Sequence, residues 1–369
     1  MRARISTFVA VVQSILLLVH LALYQTWIFF LGPLSPSQTV ELRIALAFLS
    51  ISFVAASILA RMYFNWLLRV FYTISAVWLG LVSFLFLAAC ACWIVYGVPM
   101  LFGIRLERRP LAIFVFGIGF LLGVYAIVNA RRTRVKRISI QLPNLPASWR
   151  GRTAALVSDM HLGHVNNRGF LRRIVAMLTR FRPDVVFIPG DLFDGTKLDL
   201  DRLVEPWSKL SPPLGSYFVT GNHEQFSSPM EYLDALRRFG LRVLINEKVI
   251  VDGLQIVGVD YRDSTHPEHF RSILRRIAVH RDAASILLVH TPDRMPVAAE
   301  EGVSLQLSGH THRGQYFPFT LIVSRIYGKF AYGLNHFGSL AVYTSCGAGT
   351  WGPPMRLGSN PEIVLIHFE

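Results

Sequence analysis

Gly309-His310-Thr311-His312 sets two imidazoles one residue apart, just after an apolar run (Val303, Leu305, Leu307) that reads as a strand. In extended backbone, residues i and i+2 point the same way, so both rings are expected to face one point. Upstream, Asp159-Met160-His161, Gly190-Asp191, Gly221-Asn222-His223-Glu224 and His290 each close a similar short apolar run. The donor types suit a pair of divalent cations. A carboxylate carries two oxygens and a charge and can bridge two ions, whereas imidazole suits manganese, iron or zinc. Paired sites of this kind hold their ions about 3.5–4 Å apart. With Asp191 as the bridge, Asp159, His161, Asp191, Asn222, His290, His310 and His312 supply four donors to each ion. His223 follows a ligand directly. In extended chain it would point away from the metals toward substrate, where it could protonate a leaving alkoxide. The glycines before Asp191, Asn222 and His310 allow tight turns that bring these donors together.

From residue 138 onward, strand-like and helix-like runs alternate. Ala154–Ser158, Asp184–Ile188, Ser216–Thr220, Leu254–Val259, Ile286–Val289 and Val303–Leu307 read as strands. Arg168–Phe181 reads as an amphipathic helix with Leu171, Ile174, Val175 and Leu178 on one face. Pro229–Phe239, with Gly240 after it, and Pro267–Val279 read as further helices. The tail is expected to be strand-rich, over Leu321–Ile326, Leu340–Thr344 and Ile363–Phe368. This order predicts an α/β sandwich of two facing sheets with helices outside.

The first third of the chain is of another kind. Residues 5–31, 42–64, 67–98 and 110–130 are apolar runs long enough to cross a bilayer. The chain is therefore expected to divide into a transmembrane region, 1–137, of four helices and an α/β domain, 138–369, that carries the donors. The formal charge is +14, and residues 1–137 hold 13 of the 37 Lys+Arg but 2 of the 23 Asp+Glu. Basic charge gathered beside membrane spans argues against a nucleic-acid partner, which needs it on the folded domain. Arg2, Arg4, Arg61, Arg69, Arg131, Arg132, Arg134, Lys136 and Arg137 fall on one side of the membrane. Arg43, Arg105, Arg108 and Arg109 fall on the other. The bias predicts both termini and the C-terminal domain in the cytoplasm, at the plasma (inner) membrane. Cys90 and Cys92 lie inside a span and Cys346 far from both, so neither a disulfide framework nor zinc–cysteine spacing is present.

The order Asp159-x-His161, Gly190-Asp191, Gly221-Asn222-His223-Glu224, His290 and Gly309-His310-Thr311-His312 resembles the five blocks of the calcineurin-like metallophosphoesterases. The resemblance covers roughly residues 140–369 and implies a four-layered α/β/β/α sandwich. It assigns the first ion to Asp159, His161, Asp191 and His312, the second to Asp191, Asn222, His290 and His310, and the role of catalytic acid to His223. The segments 309–315, 347–358 and 361–363 are similar to a membrane-associated phosphodiesterase-like branch, which includes some UDP-2,3-diacylglucosamine hydrolases. That branch often has Gly where this chain has Arg313, and a single anchor or export signal rather than four spans. The expectation is a membrane-anchored hydrolase that cleaves a phosphodiester or pyrophosphate bond by metal-bound hydroxide. The substrate would be lipid-linked, such as UDP-2,3-diacylglucosamine. A phosphatase for soluble nucleotides or phosphoproteins, and a membrane sensor or scaffold with an inactive site, are the alternatives. Arg313 and Arg356 could grip a phosphate by a bidentate fork, and His164 could touch substrate. Asp194, Asp199 and Asp201 read as loop and helix-start acids.

Overall fold

The structure, a computed structural model, describes residues 2–226 and 229–369. It divides into two compact units: Met1–Val128 with Gly352–Met355, and Asn129–Trp351 with Arg356–Glu369.

In the first unit, α1 (Arg2–Leu31), α2 (Pro36–Met62), α3 (Trp66–Met100) and α4 (Arg108–Ala130) follow one another. Among the described residues, these four helices are long and apolar enough to cross a membrane. Their outer surfaces are apolar, as lipid requires: Leu18, Ile44 and Leu121 are each more than 60% exposed. Polar side chains turn inward and pair across helices. Trp78 Nε1 donates to His20 Nε2 at 2.9 Å, and Trp93 Nε1 to Thr26 Oγ1 at 2.9 Å, tying α3 to α1. In a medium without water, such pairs replace the hydrogen bonds that the side chains would otherwise lack. Ser35 and Gln38 form a capping box at the start of α2.

The second unit contains twelve described strands in two sheets. The first sheet has the order β1 (Arg134–Ile140), β12 (Glu362–Phe368), β2 (Thr153–Leu156), β3 (Val185–Pro189), β4 (Ser216–Val219), β5 (Leu241–Val243). The second runs β10 (Gly333–Phe337), β11 (Leu340–Thr344), β9 (Leu305–Ser308), β8 (Ser285–Leu288), β7 (Leu254–Gly258), β6 (Glu247–Val251). In both sheets the inner strands are mainly parallel, as in β2–β3–β4–β5 and β7–β8–β9–β11.

Period-two alternation sorts side chains between layers. Ala154, Leu156, Val185 and Phe187 face Ile286, Leu288, Leu305 and Leu307 in one inter-sheet core. Their neighbours Ala155, Val186 and Ile188 pack outward under the helix Arg168–Phe181. Leu287 and Val289 pack outward under the helix Pro267–Ile277. Strands buried on both faces explain why their sequences read as unbroken apolar runs. The result is the expected α/β/β/α order of layers.

Two elements differ from expectation. β1 starts at Arg134 rather than Ile138 because it is an edge strand, where charged residues can reach outward; Lys136 lies over the Tyr332 ring. Residues 321–326, expected as strand, belong to a helix, Phe319–Tyr327. Its apolar residues Phe319, Ile322, Val323 and Ile326 recur at three and four, the helical spacing, and that pattern prevails over their β-branched composition.

Candidate metal centre

Every motif residue lies just beyond the carboxyl end of a strand. Asp159 and His161 follow β2, Asp191 follows β3, Asn222 and His223 follow β4, His290 follows β8, and His310 and His312 follow β9. Parallel strands end at one rim of the sandwich, and both sheets deliver their loops to it.

The structure brings all seven expected donors together. His161 Nε2 and His312 Nε2 are 2.9 Å apart, and Asp159 Oδ1 lies 4.0 Å from the first and 3.5 Å from the second. In a second group, Asn222 Oδ1 is 3.1 Å from His290 Nε2 and 3.0 Å from His310 Nδ1, and the two nitrogens are 3.2 Å apart. One atom joins the groups: Asp191 Oδ2 lies 3.7 Å from His161 Nε2 and 3.2 Å from His290 Nε2. Donors at about 2.1 Å from a shared ion sit roughly 3.0–3.4 Å apart. The second group, with Asp191, has this spacing; the first is wider, with pairs at 3.5–4.0 Å, and the two together suit two cations with Asp191 common to both.

The backbone here is not extended, contrary to the expectation for His310 and His312. Asp159, His161, Asp191, His310 and His312 all have φ between 45° and 69°, the left-handed region. Each such residue costs about 1–3 kcal/mol and persists only where its surroundings fix it. Here main-chain donors hold the carboxylates from behind. The His310 amide donates to both oxygens of Asp159 at 3.0 and 3.1 Å, and the His223 amide to Asp191 Oδ1 at 2.9 Å. Thus Asp191 is held by one oxygen and presents the other. His290 Nδ1 faces the Pro189 carbonyl at 2.8 Å, which leaves Nε2 to the site.

Electrostatics suit the same purpose at three of the four donor histidines. Burial holds His161, His310 and His312 below the usual imidazole range, His310 at about 3, so their lone pairs are free of protons at neutral pH. Burial works against charge on His290, yet Asp191 beside it lifts its pKa to about 10. Burial alone would raise Asp191, but His290 and His223 carry it well below the usual carboxylate range.

Close approach explains two of the glycines. A Cβ at Gly221 would meet Asp191 Oδ1 at 2.1 Å, and one at Gly309 would meet Asp159 Oδ2 at 2.1 Å. Gly221→Ala is expected to fold but to push the shared carboxylate aside. Displacements near 1 Å cost about 10²-fold in rate. Metal content and turnover of the purified variant check this.

His223 begins a 3-10 turn, His223–Phe226, rather than continuing the strand. Its ring lies edge-on to that of His161, with centroids 4.6 Å apart. Its Nδ1 faces the Asp194 carbonyl at 3.2 Å, and Asp194 Oδ1 at 3.7 Å. Asp194, set aside above as a loop acid, thus belongs to the site, and its Oδ1 also lies 3.5 Å from His161 Nδ1. Burial raises its carboxyl to about 7. Its spacing from Asp191 was the available signal, since a short loop after β3 can present both acids. Glu224 was quoted in its motif without a role. Its buried carboxylate accepts the amides of Asp191, Phe193 and Gly221 at 2.7–3.0 Å and so joins the β3 and β4 loops. Asp199 caps a short helix and Asp201 pairs with Arg238, as their helix-start reading implies.

The three expected substrate residues are placed differently from one another. Arg356 is fully buried, and its guanidinium donates to the carbonyls of His312, Cys346 and Gly349 and to Ser359 Oγ. With those donors taken by its own chain, it braces the loop behind His312 instead of reaching a ligand. His164 is also buried. Arg313 is exposed, with its guanidinium over the Tyr332 ring.

Fold and site together define a two-sheet sandwich whose rim carries a donor set suited to a pair of divalent cations. A family model for calcineurin-like phosphoesterases matches residues 153–314, the span that holds every motif. A Danio rerio transmembrane protein with metallophosphoesterase domain is 35% identical over 261 residues, 66% of this chain and 60% of that protein. An uncharacterized metallophosphoesterase of Campylobacter jejuni is 31% identical over 252 residues, 67% of this chain and 66% of its own. One of Aquifex aeolicus is 34% identical over 260 residues, 68% of this chain and 98% of its own. The chain belongs to the calcineurin-like metallophosphoesterase family, and it spans a little under two thirds of the first two relatives.

Proposed function

We propose that this chain is a membrane-anchored hydrolase of a phosphodiester or pyrophosphate bond, acting on a lipid-linked substrate with its catalytic unit in the cytoplasm. The observation that carries the reading is the shared carboxylate: Asp191 Oδ2 stands 3.7 Å from one imidazole nitrogen and 3.2 Å from another of the opposite donor group. In this reading Asp159, His161, Asp191 and His312 hold one ion, and Asp191, Asn222, His290 and His310 the other. A pair of divalent cations bound there neutralises phosphoryl charge and makes water nucleophilic near neutral pH. The donors, mostly imidazole with two carboxylates, suit manganese, iron or zinc.

His223 sits beside this centre with Nδ1 directed to the Asp194 carbonyl, so Nε2 is the atom left to give a proton to the leaving oxygen. Asp194 holds that ring in orientation. The four spans support a lipid-linked substrate, because tethering keeps enzyme and substrate on one surface. The arginines flanking the spans support the cytoplasmic placement.

The test is hydrolysis of bis-(p-nitrophenyl) phosphate and of UDP-2,3-diacylglucosamine by detergent-purified protein with Mn²⁺. Cleavage of the lipid-linked compound in preference to soluble esters is the expected result. Soluble esters cleaved alone would leave the hydrolase and remove the lipid-linked substrate. Inertness toward both with metal bound would overturn the reading in favour of sensing.

A further inference from the structure

The helix Phe319–Tyr327 has an apolar stripe that its own chain covers only in part, with Phe319 edge-on to Tyr316 and Val323 half-buried. Phe319, Ile322, Val323 and Ile326 fall at i, i+3, i+4 and i+7, the pattern of a helix packed on a core. Yet the helix has no buried residue, and Ile322 and Ile326 are 52% and 67% exposed. Leu321 and Arg325, further round the helix from that stripe, are also exposed. Such a stripe left in water is unfavourable at about 25 cal/mol per Å², so its occupant matters.

The exposed apolar residues of this unit are concentrated, not scattered. All of its large exposed hydrophobics except Ile250 fall in residues 226–230, 317–337 or at Trp351. Each of those segments touches the metal centre. The Phe226 and Trp351 rings lie 4.8 and 5.7 Å from that of His223, and Tyr327, at the end of the helix, lies 6.4 Å from that of His310. The rim of the centre is therefore apolar on both the His223 and the His310 sides.

The charge around the helix has one sign. Neither Asp nor Glu occurs between Glu301 and Glu362, whereas Arg313, Arg325 and Lys329 are exposed there. Among the described residues, none of these three forms an ion pair with an acidic side chain. An apolar stripe bordered by basic residues is the composition of a helix that lies in the headgroup layer of an anionic bilayer. A bilayer is at hand, since the same chain carries four candidate spans and only Arg131, Arg132 and Thr133 separate the end of α4 from β1.

We infer that the helix Phe319–Tyr327 is a membrane-docking element. It lays Phe319, Ile322 and Ile326 into the acyl–headgroup boundary of an anionic phospholipid bilayer, with Arg325 and Lys329 among the phosphates, and so presents the rim of the metal centre to the lipid surface. This goes beyond the hydrolytic reading and does not depend on it, because docking is read without turnover.

The test uses the full chain with Cys90→Ser, in which Cys92 and Cys346 are buried. A nitroxide is placed at Ile326→Cys, at Ile322→Cys as a second probe, and at Ile250→Cys as the exposed control. In bilayers of phosphatidylcholine with phosphatidylglycerol, power-saturation EPR compares collisions with oxygen and with a water-soluble nickel chelate. Labels at 326 and 322 are expected to favour oxygen and to lie roughly 5–10 Å below the phosphates, while the label at 250 favours nickel. Nickel access at 326 and 322 equal to that at 250 would overturn the proposal and leave a protein partner for this face. Depth unchanged without phosphatidylglycerol would overturn its electrostatic part.

Discussion

Asp191→Ala is expected to lower turnover by about 10³-fold or more and to leave at most one ion per chain. The reason is positional. Every other donor serves one group, whereas Asp191 Oδ2 approaches both His161 Nε2 and His290 Nε2. Charge stabilisation by a metal pair is worth several kcal/mol, and each 1.4 kcal/mol is about a factor of ten. The same substitution also removes the carboxylate whose Oδ1 accepts the His223 amide, so the catalytic loop loses a tie as well as a ligand. Asp191→Asn separates the effects, because it keeps the hydrogen-bond acceptor but loses the charge. Turnover near the native value in either variant, with two ions still bound, would show that the site is not dinuclear through this residue.

His223→Ala is expected to cost about 10²–10⁴-fold, the usual contribution of a general acid, while metal content stays unchanged. A structural role would slow all substrates equally. A proton donor matters most when the leaving oxygen is basic, so the loss should be much larger for an alkyl phosphodiester than for a p-nitrophenyl one. Equal losses on the two would contradict the acid role. Asp194→Asn should reproduce part of the effect, since it removes the carboxylate 3.7 Å from the ring while keeping the main-chain carbonyl that faces Nδ1.

The donor atoms were legible in sequence because ligation needs particular residue types, and a strand end followed by Gly-Asp or Gly-His-x-His is a short, ordered pattern. The layers were legible because the buried strands are unbroken apolar runs, as in Val185–Pro189, and the helix Arg168–Phe181 shows its stripe. The conformation that aims the ligands was not legible. Left-handed backbone at Asp159, His161, Asp191, His310 and His312 is imposed by hydrogen bonds from loops far away in the chain, and no local propensity announces it. Asp194 and Glu224 were underread for the same reason: their roles depend on which amides and rings the fold sets beside them. The bracing role of Arg356 was not legible, because a guanidinium that braces carbonyls has the same sequence signature as one that grips phosphate. The helix Phe319–Tyr327 was not legible as a helix because its β-branched composition favours a strand, while its apolar spacing of three and four favours a helix.

The most direct test of the dinuclear centre is the number of ions bound per chain. Native protein and Asp191→Ala are purified with Mn²⁺, dialysed, and measured by plasma mass spectrometry against protein concentration. Two ions in the native chain and one or none in the variant is the predicted result. A single ion in the native chain, or two in the variant, would contradict the shared-carboxylate centre on which the proposed chemistry rests.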